Sequence, residues 1–236
     1  MVPYAADHED PAALIAKAQD VSAKMVYFAN PDNPMGSWHS ADAVQALIDA
    51  IPDTTLLVLD EAYVELAPAG TAPVLRSDTE NVIRMRTFSK AYGMAGARVG
   101  YAIGPKSLIT AFDKLRNHFG MSRISQAGAL AALADQDYFN SVVEKVARSR
   151  QQITEIAETN GLSTLPSAAN FVAVDYGKDR DFARAMLSQM LANGIFVRMP
   201  AIAPMDRCIR VSCGDDASMT ARAQALPLAL EATQNA

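Results

Sequence analysis

A lysine, an arginine and two hydroxyl side chains follow one another closely where an apolar stretch of the chain ends. The stretch is residues 81–85, and after it come Thr87, Ser89, Lys90 and, eight residues later, Arg98. A primary amine can form a Schiff base with an aldehyde. Hydroxyls and a guanidinium can hold a phosphate dianion through charge-assisted hydrogen bonds. One short segment could therefore bind a ligand that carries both an aldehyde and a phosphate.

Pyridoxal 5'-phosphate (PLP) carries both groups, and earlier strand ends offer what its ring needs. Asp60 ends an apolar strand, Tyr63 follows it, and Asn33 lies in an earlier loop. In open α/β sheets, ligands bind beyond the carboxyl ends of the strands. Asp60 could stay ionised opposite a protonated pyridine nitrogen, which makes the ring an electron sink. Tyr63 and Asn33 could donate hydrogen bonds to its phenolate oxygen, and Lys90, once displaced by substrate, could shuttle a proton.

Strands and helices alternate in the first part of the chain. The sequence predicts strands at 24–29, 54–59, 81–86 and 99–103, helices at 10–19 and 40–51, and another helix beginning at Pro105. The nearly unbroken apolar run within 54–59 is typical of a sheet covered on both faces. The alternation predicts an α/β fold with a parallel or mostly parallel sheet flanked by helices.

The character of the sequence changes near Asp137. A long helix to about Asn160 is predicted, with Gly161 as its C-terminal stop. The predicted elements that follow are strand 170–175, helix 179–193, strands 195–198 and 208–212, and a last helix after Gly214. We therefore predict two domains, a partial ligand-binding large domain (1–136) and a smaller C-terminal α+β domain (137–236) that includes the long connecting helix.

The composition argues against several classes of protein. The 236 residues are 50% hydrophobic and carry a formal charge of −5, so no basic face for nucleic acid is expected. No apolar run is long enough to suggest a membrane span. Cys208 and Cys213 build no disulfide framework, and the three histidines show no metal-ligand spacing. The N-terminus lacks the regions of a secretory signal. A reducing, cytoplasmic setting is expected.

Five motifs in this order resemble those of the fold type I PLP-dependent aminotransferases, most closely the histidinol-phosphate aminotransferase branch. They are NPDNPMG (30–36), DEAY (60–63), TFSKAYG (87–93), ARVGY (97–101) and IRVSCG (209–214). The resemblance implies that Arg210 grips the substrate α-carboxylate, a role suited to a bidentate guanidinium. It implies that Arg198 contacts the substrate side chain or phosphate. It also implies a homodimer, and it makes the Asn33–Pro34 bond a candidate for the cis form.

The chain departs from this family at its beginning. Family members carry a long N-terminal portion before the segment that resembles residues 2–4. That portion supplies a small-residue loop for the cofactor phosphate, an aromatic residue stacked on the ring, early strands of the sheet, and an arm toward the second subunit. We expect this chain to correspond to roughly the C-terminal two thirds of such an enzyme. Unpaired sheet edges and an uncovered apolar face should follow.

Three functional hypotheses stand at this point. The first is a PLP-dependent aminotransferase that moves an amino group between an L-amino acid or amino phosphate, of histidinol-phosphate or aromatic type, and a 2-oxo acid. The second is a PLP-dependent lyase of the threonine-phosphate decarboxylase type, because the motifs govern how the cofactor is held rather than which bond breaks. The third is an inactive fragment of such an enzyme.

Overall fold

The computed structural model describes residues 9–117 and 119–235, which form two compact units. The first unit contains residues 9–32, 38–117 and 119–143, and the second contains residues 33–37 and 144–235. These units group residues that lie close together, and they need not coincide with domains that fold independently. The predicted boundary between 136 and 137 therefore stays a prediction.

The first unit is built on a mixed four-stranded sheet with helices. Its strands are β1 (Met25–Ala29), β2 (Leu56–Asp60), β3 (Val82–Thr87) and β4 (Gly100–Ile103). Its helices are α1 (Pro11–Asp20), α2 (Ala41–Ala50), α3 (Lys106–Phe112) and α4 (Arg123–Ala134), and α5 (Gln136–Thr159) begins in it. The sheet order is β1-β2-β3-β4, with β1, β2 and β3 parallel and β4 antiparallel to β3. The predicted α/β class with a mostly parallel sheet is confirmed.

Side-chain caps and apolar contacts explain the first helices. The Asp10 carboxylate accepts hydrogen bonds from the amides of Ala12 and Ala13, and Ser40 caps α2 in the same way. One face of the sheet packs into a core with α1 and α2; its buried members include Phe28, Val44, Leu47, Leu57 and Leu59. On the other face of the edge strand β1, Met25 and Tyr27 are 58% and 56% exposed.

The second unit has a small antiparallel sheet covered by helices. Its strands are β5 (Ser163–Thr164), β6 (Phe171–Asp175) and β7 (Cys208–Ser212), in the order β5-β6-β7. Its helices are the main part of α5, then α6 (Arg180–Ala192) and α7 (Asp216–Gln234). The core between sheet and helices includes Ile153, Val174, Met186, Ile209 and Leu226.

Three local predictions differ from the structure. Residues 195–198 do not form a strand: Arg198 makes one isolated antiparallel bridge with Arg210. Pro200 has no donor with which to extend that ladder beyond Arg198. Helix α4 was not predicted. Within the described residues the cis peptide bonds are Asn30–Pro31 and Ala203–Pro204, so the candidate at Asn33–Pro34 was wrong. Many X–Pro bonds can take either form, and the sequence alone does not choose between them.

The part of the chain that the structure describes contains neither a candidate membrane span nor a metal-ligating cluster. None of the helices there has the length and apolar character to cross a membrane. No group of three or more histidine, cysteine, aspartate or glutamate side chains in that part of the chain could hold a metal ion. Cys208 and Cys213 are free thiols.

Gly36 provides a test of packing in the second unit. Its φ is +83°, and a Cβ atom added there would come within 2.2 Å of the Ser167 hydroxyl oxygen. We expect Gly36→Ala to lose about 1–2 kcal/mol from the left-handed backbone and about 1–3 kcal/mol more from the clash. Urea unfolding would measure the loss.

Gly177→Ala is the matched control for this experiment. Gly177 has a φ of +63° and nothing within 4 Å of an added Cβ. This variant should therefore show the backbone penalty alone. Equal losses in the two variants would contradict the contact between Gly36 and Ser167.

Candidate active site

The parallel pairing of β2 with β3 brings two predicted residues to one edge of the sheet. Asp60 is the last residue of β2 and pairs in register with Met85, two residues before the end of β3 at Thr87. The chain then turns, and the amide of Glu61 donates to the carbonyl of Met85 at 2.9 Å. Since the carboxyl ends of parallel strands face the same way, Asp60 and Thr87 lie at the edge where ligands bind in such sheets.

Both carboxylate oxygens of Asp60 accept hydrogen bonds from the first unit. Oδ1 accepts from the amide of Ala62 at 2.9 Å, and Oδ2 accepts from the hydroxyl of Tyr27. A carboxylate offers about four lone-pair sites, so each oxygen can still accept a further donor. These bonds fix the orientation of Asp60 and leave it able to hold a protonated ring nitrogen.

Tyr27 is a site residue that the sequence analysis missed. It lies on β1 two residues before Ala29, which pairs with Asp60, so its side chain is on the same face as that carboxylate. Partial burial of its hydroxyl, together with the hydrogen bond and negative charge of Asp60, raises the pKa of Tyr27. The alternation of residues along β1 could have indicated which face Tyr27 occupies. It could not have linked Tyr27 to Asp60, because that requires the pairing register of β1 with β2.

The predicted lysine lies over an aromatic ring in the same unit. The Nζ atom of Lys90 is 4.9 Å from the ring centroid of Tyr63, a distance typical of a cation–π contact. Tyr63 is buried, and Lys90 is half-buried. The backbone beside the lysine is held by buried Phe88, whose ring packs on Tyr92 at 4.8 Å, and by the amide of Gly93, which donates to the Lys90 carbonyl at 2.9 Å. These contacts hold the backbone of the turn that carries the lysine.

The two hydroxyls expected to hold a phosphate are hydrogen-bonded to each other. Thr87 Oγ1 donates to Ser89 Oγ at 2.9 Å and accepts from the Ser89 amide at 3.0 Å. The backbone joins this segment to the neighbourhood of Arg98, because the Phe88 amide donates to the carbonyl of Val99 at 3.1 Å.

Arg98 has an unusual backbone conformation and an exposed side chain. Its φ is 55° and its ψ is 45°, in the left-handed region that costs about 1–2 kcal/mol for a residue with a Cβ. Its Nη1 donates to the carbonyl of Ala95 at 2.9 Å. Such strain persists where the surrounding structure fixes the backbone, which happens often at ligand sites.

Glu61, beside Asp60, carries a buried ion-pair network. Its two carboxylate oxygens accept from Arg84, which is also buried, and Oε2 accepts from Nε of Arg86 at 2.9 Å. The remaining donors of Arg84 reach the carbonyls of Pro73 and Val74 at 3.1–3.2 Å. The network links the end of β2 to β3 and holds in place the residues on either side of Glu61.

Three other predicted residues come together inside the second unit. Arg210 donates from Nη1 to the side-chain oxygen of Asn33, and its guanidinium lies 4.7 Å from the ring centroid of Phe171. Arg198 is joined to Arg210 by two backbone hydrogen bonds of 3.2 and 2.6 Å. Its guanidinium lies 5.8 Å from the ring of Phe196. The roles predicted for these residues stay predictions.

The sequence matches a known family over most of its length. Residues 2–226 match the family described as Aminotransferase class I and II. The histidinol-phosphate aminotransferase of Bacillus pumilus (strain SAFR-032) is 40% identical over 198 residues, which are 83% of this chain and 53% of that protein. The chain thus spans about half the length of this curated relative.

Solved structures agree with the sequence comparison. The crystal structure of histidinol-phosphate aminotransferase from Sinorhizobium meliloti in complex with pyridoxal-5'-phosphate superposes with a TM-score of 0.96 at 55% identity, covering 98% of this chain and 64% of that one. L-threonine-O-3-phosphate decarboxylase from Porphyromonas gingivalis gives a TM-score of 0.74 at 22% identity, covering 88% of this chain and 65% of that one. The second likeness shows the fold alone.

The hydrogen bond between Tyr27 and Asp60 predicts a pH dependence. The folded-state pKa of Tyr27 is above the ordinary value of about 10. Its contribution to stability is therefore complete below pH 10 and is lost as the pH rises through the folded-state pKa. The difference in phenolate absorbance between the wild type and Tyr27→Phe isolates the titration of Tyr27. We expect Asp60→Asn to lower its midpoint, and an unchanged midpoint would contradict the bond.

The Glu61 network predicts a large loss of stability. Glu61→Gln removes the carboxylate charge that pairs with both Arg84 and Arg86 at this buried position, so we expect a loss of about 3–5 kcal/mol in urea unfolding. The control is Asp78→Asn, which breaks an exposed ion pair with Arg76 at 3.0 Å and should change little. Similar small effects in both variants would show that the network does not hold the strand end.

Proposed function

Because the chain belongs to the class I and II aminotransferase family, we propose that the protein is a PLP-dependent aminotransferase of the histidinol-phosphate type. Its substrates would be an L-amino acid or amino phosphate and a 2-oxo acid. One observation carries the proposal: the first unit places Lys90 over Tyr63 and sets Asp60 and Thr87 at the ligand-binding edge of its sheet. The substrate class is supported by the relatives from Bacillus pumilus and Sinorhizobium meliloti, both of which are histidinol-phosphate aminotransferases.

The side chains of the first unit fit PLP by their chemistry. Lys90 offers the primary amine that the aldehyde needs, and Asp60 offers a carboxylate, already oriented by Tyr27 and Ala62, for the ring nitrogen. Thr87, Ser89 and Arg98 offer two hydroxyls and a guanidinium, which suit a phosphate. When bound, the cofactor supplies an electron sink for negative charge that develops at the substrate α-carbon.

The protein's own groups would do the remaining work. Lys90 would take the proton from the substrate α-carbon, since a positioned amine can act as a general base. Asp60 would keep the ring nitrogen protonated, and the hydroxyl of Tyr27 would hold Asp60 in position. Tyr63, stacked under Lys90, would donate to the cofactor's phenolate oxygen.

Residues of the second unit are proposed for recognition. Arg210 would grip the substrate α-carboxylate, because its guanidinium is held against the face of Phe171 and the guanidinium fork matches the geometry of a carboxylate. Asn33 would donate to the phenolate oxygen from Nδ2, since its Oδ1 accepts from Arg210. Arg198 would contact the substrate side chain or phosphate.

Three wider expectations remain proposals. The protein is proposed to act as a homodimer in the cytoplasm, where its free thiols Cys208 and Cys213 would stay reduced. The large and small domains are proposed to be 1–136 and 137–236, supported by the start of α5 at Gln136. The lyase alternative rests on the shared fold, since the decarboxylase likeness is at 22% identity.

Covalent trapping of the cofactor tests the proposal. The chain is mixed with limiting PLP, reduced with borohydride and mapped by peptide mass spectrometry. We expect the added mass on Lys90, because its amine is held in a half-buried site, and none there in Lys90→Ala. Lys106 on α3 is exposed, so Lys106→Ala is the matched control and should leave the label unchanged.

Amino transfer from histidinol phosphate to a 2-oxo acid and release of carbon dioxide are assayed in parallel. Labelling with transfer supports the aminotransferase. Labelling with carbon dioxide release would favour the lyase, and labelling without turnover would favour an inactive fragment. A label spread equally over surface lysines would refute the assignment of Lys90.

A further inference from the structure

The second unit contains a cavity that the proposed function does not use. It has a volume of about 390 Å³ and lies between residues 194–197, the end of β7 and the first turns of α7. Apolar side chains form much of its wall, among them Ile195, Val197, Val211 and Met219. Phe196, also in the wall, is 72% exposed, so the cavity reaches the surface.

Arg222 on α7 lines this cavity and is the charged side chain in its wall. The residue is 1% exposed. None of its nitrogens, Nε, Nη1 or Nη2, has a hydrogen-bond partner among the described residues. A guanidinium has five N–H donors and stays charged in proteins. Burying it without acceptors carries a large unfavourable free energy, whereas a buried polar group is normally hydrogen-bonded.

The groups beside Arg222 do not balance its charge. Burial lowers the pKa of Arg222 to about 10, so it is still a cation at neutral pH. Tyr176 interacts electrostatically with it, but burial raises the pKa of Tyr176 to about 12. Cys213 in the cavity wall has its pKa raised to about 11, first by burial. Both side chains are therefore neutral when Arg222 is charged, and the wall includes no aspartate or glutamate.

Two other arginines of this chain have clear acceptors. Arg84 is as deeply buried and reaches Glu61 and two backbone carbonyls. Arg207 in the second unit pairs with Asp175 at 2.8 Å. Arg222 differs because it combines burial, full charge and an adjoining cavity. The chemistry missing from its surroundings is an anionic acceptor.

We propose that this cavity binds a small organic carboxylate, with the carboxylate held by Arg222 and an apolar body against the wall. A carboxylate matches the guanidinium fork through two parallel hydrogen bonds. Its single negative charge balances the single positive charge, which a phosphate dianion would exceed. The volume is far more than one inorganic ion fills and lies within the range of small-molecule sites. The site is independent of the aminotransferase proposal.

Binding of 3-methylbutanoate tests the inference, with its neutral isostere 3-methylbutanamide as the matched ligand. The 236-residue chain is titrated with each by isothermal calorimetry, and the Nε–H signal of Arg222 is followed by NMR. We expect saturable binding of the acid, a shift of that signal, and binding of the amide weaker by about tenfold or more, since it lacks the charge. Equal affinity for acid and amide would overturn the proposal.

Two variants locate the site. Arg222→Met replaces the buried charge with an apolar side chain of similar length, a change that folded proteins often tolerate, and should weaken binding of the acid by about tenfold or more. Arg184→Met, the control, removes an exposed arginine of the same unit and should leave binding unchanged. Unchanged binding in Arg222→Met would overturn the assignment. Should Arg222→Met not fold, the wild-type NMR signal decides the outcome.

Chloride and inorganic phosphate are titrated in the same way as 3-methylbutanoate, at equal ionic strength, and the Arg222 signal is followed in each titration. Weak, non-saturating effects from both support a site for an organic anion. If either ion shifts the Arg222 signal with an affinity equal to that of 3-methylbutanoate, the apolar wall contributes nothing and the proposal is wrong.

Discussion

The candidate active site depends on the parallel alignment of β2 and β3. Parallel pairing puts the carboxyl ends of both strands at one edge, and the register of Asp60 with Met85 fixes where Thr87 and the lysine turn begin. A slip of one residue would move Asp60 to the other face of the sheet. The buried contacts of Glu61 with Arg84 and Arg86 oppose such a slip, because their donors and acceptors meet in one register only. The ion pairs beside the site thus protect its geometry.

The sequence predicted much of this arrangement because its signals are local. Asp60 and Lys90 each follow an apolar run, and Asp10 and Ser40 are strong helix caps, so strand ends and helix starts could be placed. The features it missed depend on contacts between distant segments. Tyr27 has the appearance of an ordinary strand residue until the pairing of β1 with β2 places its hydroxyl on Asp60.

The incorrect local predictions have similar causes. Residues 195–198 have strand-like composition, but Pro200 cannot continue the ladder that Arg198 begins with Arg210. Helix α4 is rich in alanine and has a weak apolar stripe, so the periodicity of its sequence gives little signal. In both cases the local sequence pattern does not determine the secondary structure.

Three arginines, Arg84, Arg210 and Arg222, are buried or half-buried and differ in the groups around them. Arg84 is neutralised by Glu61 and is structural, since all of its donors are used by the protein. Arg210 lies against the aromatic ring of Phe171 and donates to the side-chain oxygen of Asn33, contacts that orient its guanidinium. The side chain of Arg222 has no hydrogen-bond acceptor among the described residues, although it is buried as deeply as Arg84.

The gain in free energy when an anion binds depends on how far the guanidinium is already neutralised and hydrogen-bonded. A neutralised guanidinium such as that of Arg84 gains little from a further anion, because its donors are already used. A buried one without acceptors gains the most, because binding removes an existing penalty. The same penalty means that the apolar surroundings of Arg222 would be more stable with a methionine at that position. An arginine there is therefore better explained by an anionic ligand than by packing.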